Sequence, residues 1–377
     1  MHIAYIIGQL RKGGAEQQLF SLATHLQARI TVIVMEQNHE DGYWVQPLRD
    51  HGIEVIELPR RVRFDVHRVL SLRRLLRTVR PDIVHIFADN AAALYGRIAA
   101  LMLPRIPVVV GVRRYPDDDP CWLYALKRYL LNRSVAALVA NSQSTADFLL
   151  RHRMTASQRI HHIPNGIEVA RFRKPAQPAW PLGICEDWRG RQIVGSVTSL
   201  LPKKNPALYV QVARNVLAEL PDVRFLHVGK GRLLAEVQQR AQAAGIADKM
   251  HFLGERHDIP TLLHQMSLFV MTSNSEGTPN AAMEAMAAGL PCVLTDTGDC
   301  AALVKDSVSG YVVPVGDEAA LTDAVLRLLQ DDALRKQFGR AAAAYIESYD
   351  IQGMARQYMA VYQQVQQSML SLVPSYE

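Results

Sequence analysis

The stretch SNSEGTPNAAMEAMAAG, residues 273–289, indicates the fold of the chain around it. It lies between two short apolar runs, SLFVMT at 267–272 and LPCVLT at 290–295, each of which reads as a buried strand. Pro279 suits the first position of a helix and Gly289 suits its exit, which predicts a helix over about residues 279–288. Strand, helix and strand make one βαβ unit of a parallel sheet, and such sheets bind ligands at the carboxyl ends of their strands.

Two carboxylates in this unit stand out by position. Glu276 lies in the loop ahead of the predicted helix, beside Gly277, where a ligand can approach the backbone closely. Glu284 interrupts a helix built of Ala and Met, and the two hydroxyls of a vicinal diol could both donate to it. The helix start offers N–H groups to a phosphate. The unit could therefore hold a sugar, a diphosphate and a ribose; the alternative is an ordinary loop acid and a solvated helix residue.

The pattern S-E-G-x-P-N-x-x-x-E-A-x-A-x-G-x-P, with Glu276 and Glu284 as its acids, resembles the E-x7-E motif of the retaining family 4 glycosyltransferases, or glycosyltransferase group 1. The resemblance implies the α/β architecture called GT-B, in which two facing Rossmann-like, doubly wound domains are followed by a C-terminal helix that crosses back to the first. It also implies a nucleotide-sugar donor, bound here by both glutamates and by the residues between them: Gly277, Thr278, Pro279 and Asn280.

Size and composition allow this architecture. The chain has 377 residues, of which 49% are hydrophobic and 21% charged, as in a globular protein with room for two domains. The N-terminal apolar run lacks a basic region before it, so it does not read as a signal peptide, and no run has the length of a membrane span. We therefore expect a cytoplasmic protein. The first half of the chain is basic and the second half mildly acidic, which suggests different partners for the two halves.

Alternating strand and helix patterns predict a doubly wound sheet in each half. Residues 1–175 read as an acceptor-side domain, and 192–350 as the nucleotide-sugar domain. A cluster of prolines and glycines predicts a linker over 176–191, and residues 351–377 are expected to form a helix that packs on the first domain. Gly13 and Gly14 follow the first strand, in a loop that the resemblance places near the donor diphosphate.

The resemblance also assigns a cation. Lys204 aligns with the family's phosphate-binding lysine, and positive charge on a diphosphate leaving group lowers the barrier to sugar transfer. The chain departs from the family at Ser199, where an arginine is usual, and at Arg113, where a histidine is usual. We predict that Glu276, Lys204 and Arg113 carry the catalysis, with Arg114, Lys203, Lys230 or Arg256 as other sources of the missing charge. Ser199, Gly229 and Arg256, near strand ends, complete the predicted donor site.

The remaining motifs concern metals and partners. The acidic run at Asp117, Asp118 and Asp119 is similar to a D-x-D metal motif, but it reads as a solvated loop, so no metal or other cofactor is expected. Arginines interleaved with leucines from Arg60 to Arg80 could lie on an anionic membrane surface at the inner face of the membrane, and a solvated helix is the alternative. No nucleic-acid motif accompanies them.

Together these features predict a retaining glycosyltransferase that moves a hexosyl unit from a nucleotide sugar, UDP-linked in our interpretation, to a lipid-linked or cell-surface polysaccharide acceptor. Two alternatives stay open at this stage. One is a sugar-nucleotide 2-epimerase of the same fold. The other is a catalytically silent UDP-sugar-binding homologue, which the departures at Ser199 and Arg113 suggest.

Overall fold

The chain forms two compact units in the computed structural model. The structure describes residues 1–35, 42–58, 65–87, 91–103, 106–113, 125–126, 132, 135–173, 175, 180–181 and 183–370. One unit comprises Met1–Gly166 together with Ile351–Glu377, and the other is the continuous segment Ile167–Asp350. The segment predicted to be the nucleotide-sugar domain is thus inserted between two parts of the first unit.

The first unit contains a seven-stranded sheet in which all described strand pairs are parallel, in the order β3-β2-β1-β4-β5-β6-β7. Its strands are β1 (His2–Ile7), β2 (Arg29–Val34), β3 (Glu54–Glu57), β4 (Ile83–Ile86), β5 (Val108–Val112), β6 (Ala137–Ala140) and β7 (Ile160–His162). The helices of its N-terminal part are α1 (Gly14–His25), α2 (Val45–Asp50), α3 (Val66–Val79), α4 (Ala91–Leu101) and α5 (Gln143–Arg151).

Strand composition explains why this sheet is buried on both faces. Successive side chains of a strand point to opposite faces, and in β1 Ile3 and Tyr5 enter one apolar core whereas Ala4 and Ile6 enter the other. All four are at most 1% exposed. Continuous apolar strands of this kind are typical of parallel sheets covered by helices on both sides.

The second unit repeats the plan with six strands in the order β10-β9-β8-β11-β12-β13, again with parallel pairs. Its strands are β8 (Ile193–Val197), β9 (Arg224–Val228), β10 (Met250–Phe252), β11 (Leu268–Met271), β12 (Cys292–Thr295) and β13 (Gly310–Val313). Its helices are α6 (Val169–Phe172), α7 (Pro206–Glu219), α8 (Leu234–Ala243), α9 (Ile259–Leu263), α10 (Asn280–Ala287), α11 (Cys300–Leu303), α12 (Glu318–Gln330) and α13 (Asp332–Ile346).

Strand order places the site of the second unit. The chain winds outward from β8 through β9 to β10 and then returns to add β11 on the other side of β8, where Phe269 pairs with Gly195. The loops after β8 and β11 therefore diverge at a topological switch point, which is where open α/β sheets bind their ligands. The first sheet has the corresponding switch point between β1 and β4.

The last helix, α14 (Ile351–Leu370), belongs to the first unit. Tyr358 and Tyr362 are buried in the same core as Tyr5. The Tyr362 hydroxyl lies 3.0 Å from the Tyr5 hydroxyl and 2.7 Å from His85 Nδ1. Burial and, secondarily, the charge of Arg113 hold the pKa of His85 well below its ordinary value. His85 is thus a packed strand residue that anchors α14.

The first domain boundary differs from the predicted one. The N-terminal part of the first unit ends at Gly166 instead of 175. Val169 and Phe172 pack in the core of the second unit, and so do Ile184 and Trp188 from the predicted linker. Proline and glycine content is high in any irregular segment, so it does not distinguish a free linker from one whose apolar side chains cover a core.

Candidate functional site

Two loops at the switch point of the second sheet bring Lys204 and Glu276 together. Lys204 ends a short 3-10 turn in the loop after β8, and Glu276 lies in the loop after β11. The ammonium of Lys204 donates to Glu276 Oε1, although 72 residues separate the two in sequence. Their side chains are only 16% and 9% exposed, so the ion pair is largely withdrawn from water. The structure thus joins two of the three residues predicted to carry catalysis.

Glu276 is held through one carboxylate oxygen. Ser273 Oγ also donates to Oε1, at 2.6 Å, and the backbone N–H of Glu276 donates to Thr297 Oγ1 at 3.1 Å. No described residue donates a hydrogen bond to Oε2. The carboxylate is therefore oriented by the protein on one side, and its second oxygen can accept hydrogen bonds from a ligand.

The Lys204 loop is fixed by the loop after β11. Thr272 Oγ1 donates to the carbonyls of Lys204 and Asn205 at 3.1 and 3.0 Å, and the Asn274 N–H donates to the Lys203 carbonyl at 2.8 Å. Asn205 adopts a left-handed conformation and caps α7 through its side chain. These hydrogen bonds join the two loops at the site.

A third loop, after β12, supports Glu276 from behind. Gly298 has a φ of +60°, and a side chain there would place its Cβ 2.5 Å from the Glu276 carbonyl oxygen. The Asp299 N–H donates to the Gly277 carbonyl at 3.1 Å, and Thr278 Oγ1 donates to Asp299 Oδ2 at 3.3 Å. Thr297, Gly298 and Asp299 were not predicted from the sequence. The only available signal was a glycine shortly after a buried strand.

Helix α10 begins four residues after Glu276 in the sequence. It runs from Asn280 to Ala287 within the predicted 279–288, with Pro279 as the preceding residue. The first N–H groups of a helix have no partner within the helix and carry its positive dipole end, so this start can receive an anion. Glu284 lies four residues further along and is 8% exposed. The two glutamates therefore lie on opposite sides of the helix start along the chain.

The other predicted donor residues of this domain have protein partners. Gly229, with a φ of +138°, packs directly against the Thr198 carbonyl, so contact with a neighbouring loop already requires a glycine there. Arg256 donates two hydrogen bonds to Asp258, at 2.8 and 2.6 Å, which lower the pKa of that carboxyl. Ser199 is half-buried in the loop after β8. Roles for these three in donor binding stay predictions.

In the first unit, Gly13 and Gly14 lie at the start of α1, after β1 and beside the switch point. Arg113 follows β5, and its guanidinium donates to Asn165 Oδ1 at 2.9 Å and to the Tyr358 hydroxyl at 3.2 Å. It also lies 3.9 Å from the centre of the Phe87 ring. These contacts tie Arg113 to α14, and its predicted role in catalysis stays a prediction. Arg114 lies outside the described residues.

The predicted basic segment divides into buried and exposed arginines. Arg68 is 4% exposed, donates to the Leu58 carbonyl at 3.1 Å and lies over the Tyr95 ring. Arg74 and Arg77 on α3 and Arg80 after it are exposed. Arg60, Arg61 and Arg63 lie outside the described residues, as do Asp117, Asp118 and Asp119. Within the described ranges, no group of three His, Cys, Asp or Glu residues could hold a metal, and no helix is long and apolar enough to cross a membrane.

Comparison with known proteins connects this geometry to a family. The model for glycosyltransferase family 4 matches residues 12–171, and the model for glycosyl transferases group 1 matches residues 188–345. The chain is 26% identical over 284 residues to the Escherichia coli UDP-Gal:alpha-D-GlcNAc-diphosphoundecaprenol alpha-1,3-galactosyltransferase, covering 72% of each chain. It is 25% identical over 367 residues to the phosphatidyl-myo-inositol mannosyltransferase of Mycobacterium tuberculosis, covering 94% of this chain and 93% of that one.

Solved structures give the same fold. Anabaena Alr3699/HepE in complex with UDP and glucose matches with a TM-score of 0.83 at 21% identity, over 99% of this chain and 100% of that one. Sucrose-phosphate synthase from Thermosynechococcus elongatus matches with a TM-score of 0.78 at 17% identity, over 98% and 100% of the two chains. The predicted fold class and family are confirmed. The chain belongs to family 4 of the glycosyltransferases, the glycosyltransferase group 1 enzymes, and has the GT-B fold.

Proposed function

We propose that this glycosyltransferase moves a hexosyl unit from a UDP-sugar to a lipid-linked or cell-surface glycan acceptor, with retention of configuration at the transferred carbon. The observation that carries the proposal is the Lys204–Glu276 pair at the switch point, next to the start of α10. The names of relatives support the substrate classes: the Escherichia coli enzyme is named for UDP-Gal and a diphosphoundecaprenol acceptor. Retention rests on the resemblance of the glutamate motif.

The chemistry follows from the positions of the charges. Departure of the sugar leaves negative charge on the diphosphate, which the Lys204 ammonium and the dipole of α10 would stabilise. Glu276, with Oε2 open, would accept hydrogen bonds from hydroxyls of the transferring sugar. Glu284, four residues after the helix start, would accept hydrogen bonds from the two ribose hydroxyls. The site thus supplies its positive charge from the chain itself, and the proposal includes no metal.

Glu284 provides the test of nucleotide binding. Replacing it with glutamine should weaken UDP binding about tenfold, because a charge-assisted contact to the ribose is lost in both substrate and product complexes. Calorimetric titration with UDP measures this change. Glu236→Gln is the matched control, since Glu236 forms an exposed ion pair with Arg240 on α8 and should keep wild-type affinity.

The outcome separates the proposal from its alternatives. A wild-type protein that binds no UDP contradicts the proposal. UDP binding without consumption of any UDP-sugar, in the presence of lipid-linked acceptors, would identify a silent homologue. Consumption of the donor without an acceptor, with a changed sugar, would identify an epimerase. For an active transferase, the anomeric configuration of the first-formed product, observed by NMR, tests retention.

The acceptor side of the proposal includes a membrane surface. Arg74, Arg77 and Arg80 are exposed on or beside α3, and Leu70 on the same helix is 40% exposed. The neighbouring α4 region exposes Ile98, Leu101 and Met102 at 37%, 42% and 41%. Exposed apolar side chains beside arginines are the combination that binds an anionic lipid surface. A lipid-linked acceptor would then be met where it resides, with the protein peripheral to the inner face of the membrane.

Charge reversal tests this surface. The Arg74→Glu, Arg77→Glu variant should lose more than about tenfold in association with phosphatidylglycerol-containing vesicles, and wild-type association should fall steeply as salt is raised. Vesicle sedimentation at two salt concentrations measures both effects. Arg214→Glu with Arg240→Glu removes two exposed arginines from the second domain and should leave association unchanged. Salt-independent association of the wild type would contradict the membrane proposal.

A further inference from the structure

The Lys204–Glu276 ion pair has a consequence for product release. In this structure the cation that would receive the diphosphate is bound to a carboxylate of the same site. A diphosphate that draws the Lys204 ammonium toward its own oxygens would weaken the bond of that ammonium to Glu276. Glu276 has no other cationic partner among the described residues, and its side chain is 9% exposed.

When a diphosphate draws Lys204 away, Glu276 becomes a largely buried carboxylate without a cation. Its Oε1 would retain the Ser273 hydroxyl at 2.6 Å, and its Oε2 would have no partner from the described protein. A largely buried carboxylate that loses its cation bears a desolvation cost that the remaining hydroxyl offsets only in part. The binding of any nucleoside diphosphate is weakened by the free-energy cost of leaving Glu276 without its cation.

Donor and product differ in the hydrogen bonds that they can donate to Glu276. On the proposed function, the donor sugar lies beside Glu276, and its hydroxyls can donate to Oε2 and replace the lost ammonium. UDP lacks the transferred sugar, so it offers Glu276 no hydroxyl in place of the lost ammonium. We propose that the Lys204–Glu276 pair selects the sugar-nucleotide donor over the UDP product and expels UDP after transfer. This inference rests on the proposed function, because it assumes that the diphosphate binds Lys204.

The test is a comparison of ligand affinities. Glu276→Gln should raise the affinity for UDP about tenfold. The amide binds Lys204 less strongly than a carboxylate does, and it leaves no buried charge without a partner when Lys204 moves away. The affinity for UDP-glucose or UDP-galactose, whichever the wild type binds, should stay constant or fall, because hydrogen bonds from the sugar to a charged group are lost. Calorimetry with UDP and that UDP-sugar measures the ratio. Glu236→Gln removes a carboxylate from an exposed ion pair and should change neither affinity.

A double-variant cycle separates release of Lys204 from simple loss of negative charge. In a Lys204→Met background, the Glu276→Gln change should raise UDP affinity by less than about threefold, because there is no ammonium to release. Ser273→Ala provides a second variant that keeps both charges. It removes the last donor to Oε1 once Lys204 has left, so it should weaken UDP relative to the UDP-sugar by about threefold or more.

The possible failures are distinguishable. A wild-type protein that binds neither UDP nor a UDP-sugar overturns the proposed function and this inference with it. A wild type that binds both, with a Glu276→Gln variant whose UDP affinity is unchanged or reduced, overturns this inference alone. An equal gain in UDP affinity with and without Lys204 also overturns it, because repulsion by Glu276 would then explain the gain.

Discussion

Replacing Lys204 with alanine should lower kcat by a factor of about 100 or more, because the ammonium would stabilise charge that develops on the leaving diphosphate. The same change leaves Glu276 largely buried without its cationic partner. The rate should be measured at saturating donor, so that weaker donor binding does not enter it. Lys204→Arg keeps the positive charge and should recover part of the rate.

The neighbouring residue Lys203 provides the control for this prediction. Its side chain is exposed, and its described contact is made by the backbone carbonyl, which accepts from Asn274. Lys203→Ala changes the net charge of the domain by the same amount at the adjacent position, so it should cost less than about threefold in kcat. Equal losses in the two variants would mean that general positive charge acts on the donor, and that the Lys204 position has no special role.

A single methyl group at position 298 should also lower kcat about a hundredfold. Gly298 has a φ of +60°, where a non-glycine residue costs about 1 kcal/mol. The added Cβ would also lie 2.5 Å from the Glu276 carbonyl oxygen, so the Glu276–Gly277 backbone would have to move. Displacing a group of the site by about 1 Å can cost a hundredfold in rate. Steady-state kinetics and thermal unfolding of Gly298→Ala measure the two effects separately.

Gly316→Ala separates backbone strain from displacement of the site. Gly316 has a φ of +80°, but an added Cβ would have no neighbour within 4 Å. It should lower the melting temperature by a few degrees, as about 1 kcal/mol does in a domain of this size, and leave kcat unchanged. If Gly298→Ala lowered kcat and the melting temperature only as much as Gly316→Ala does, the loop after β12 would have no part in positioning Glu276.

Local sequence patterns predicted the elements around the site well. The runs at 267–272 and 290–295 contain β11 and β12, and the helix predicted for 279–288 contains α10. This succeeds because a buried parallel strand is a continuous apolar run, and a helix start and exit have characteristic residues. The C-terminal helix was predicted over 351–377, and α14 covers 351–370, while residues 371–377 lie outside the described residues.

Partners across long sequence separations could not be predicted in the same way. The resemblance named Lys204 and Glu276 separately, but their pairing depends on the adjacency of β8 and β11, which only the strand order reveals. Arg113 bonds to Tyr358, 245 residues away, and nothing near Arg113 in the sequence indicates that contact. The N-terminal part of the first unit ends at Gly166, not at the predicted 175, for the same reason, since Phe172 packs against distant residues of the second core.

The discontinuity of the first domain has a consequence for biosynthesis. Its core includes Tyr362, whose hydroxyl contacts Tyr5 and His85, yet the ribosome makes this tyrosine only after the entire second domain. The second domain is one uninterrupted segment and can fold as soon as residue 350 has emerged, since domains generally fold as units during synthesis. Until α14 has also been synthesised, the surface of the first seven strands that it will cover is exposed to water and to chaperones. The domain that is begun first is therefore completed last.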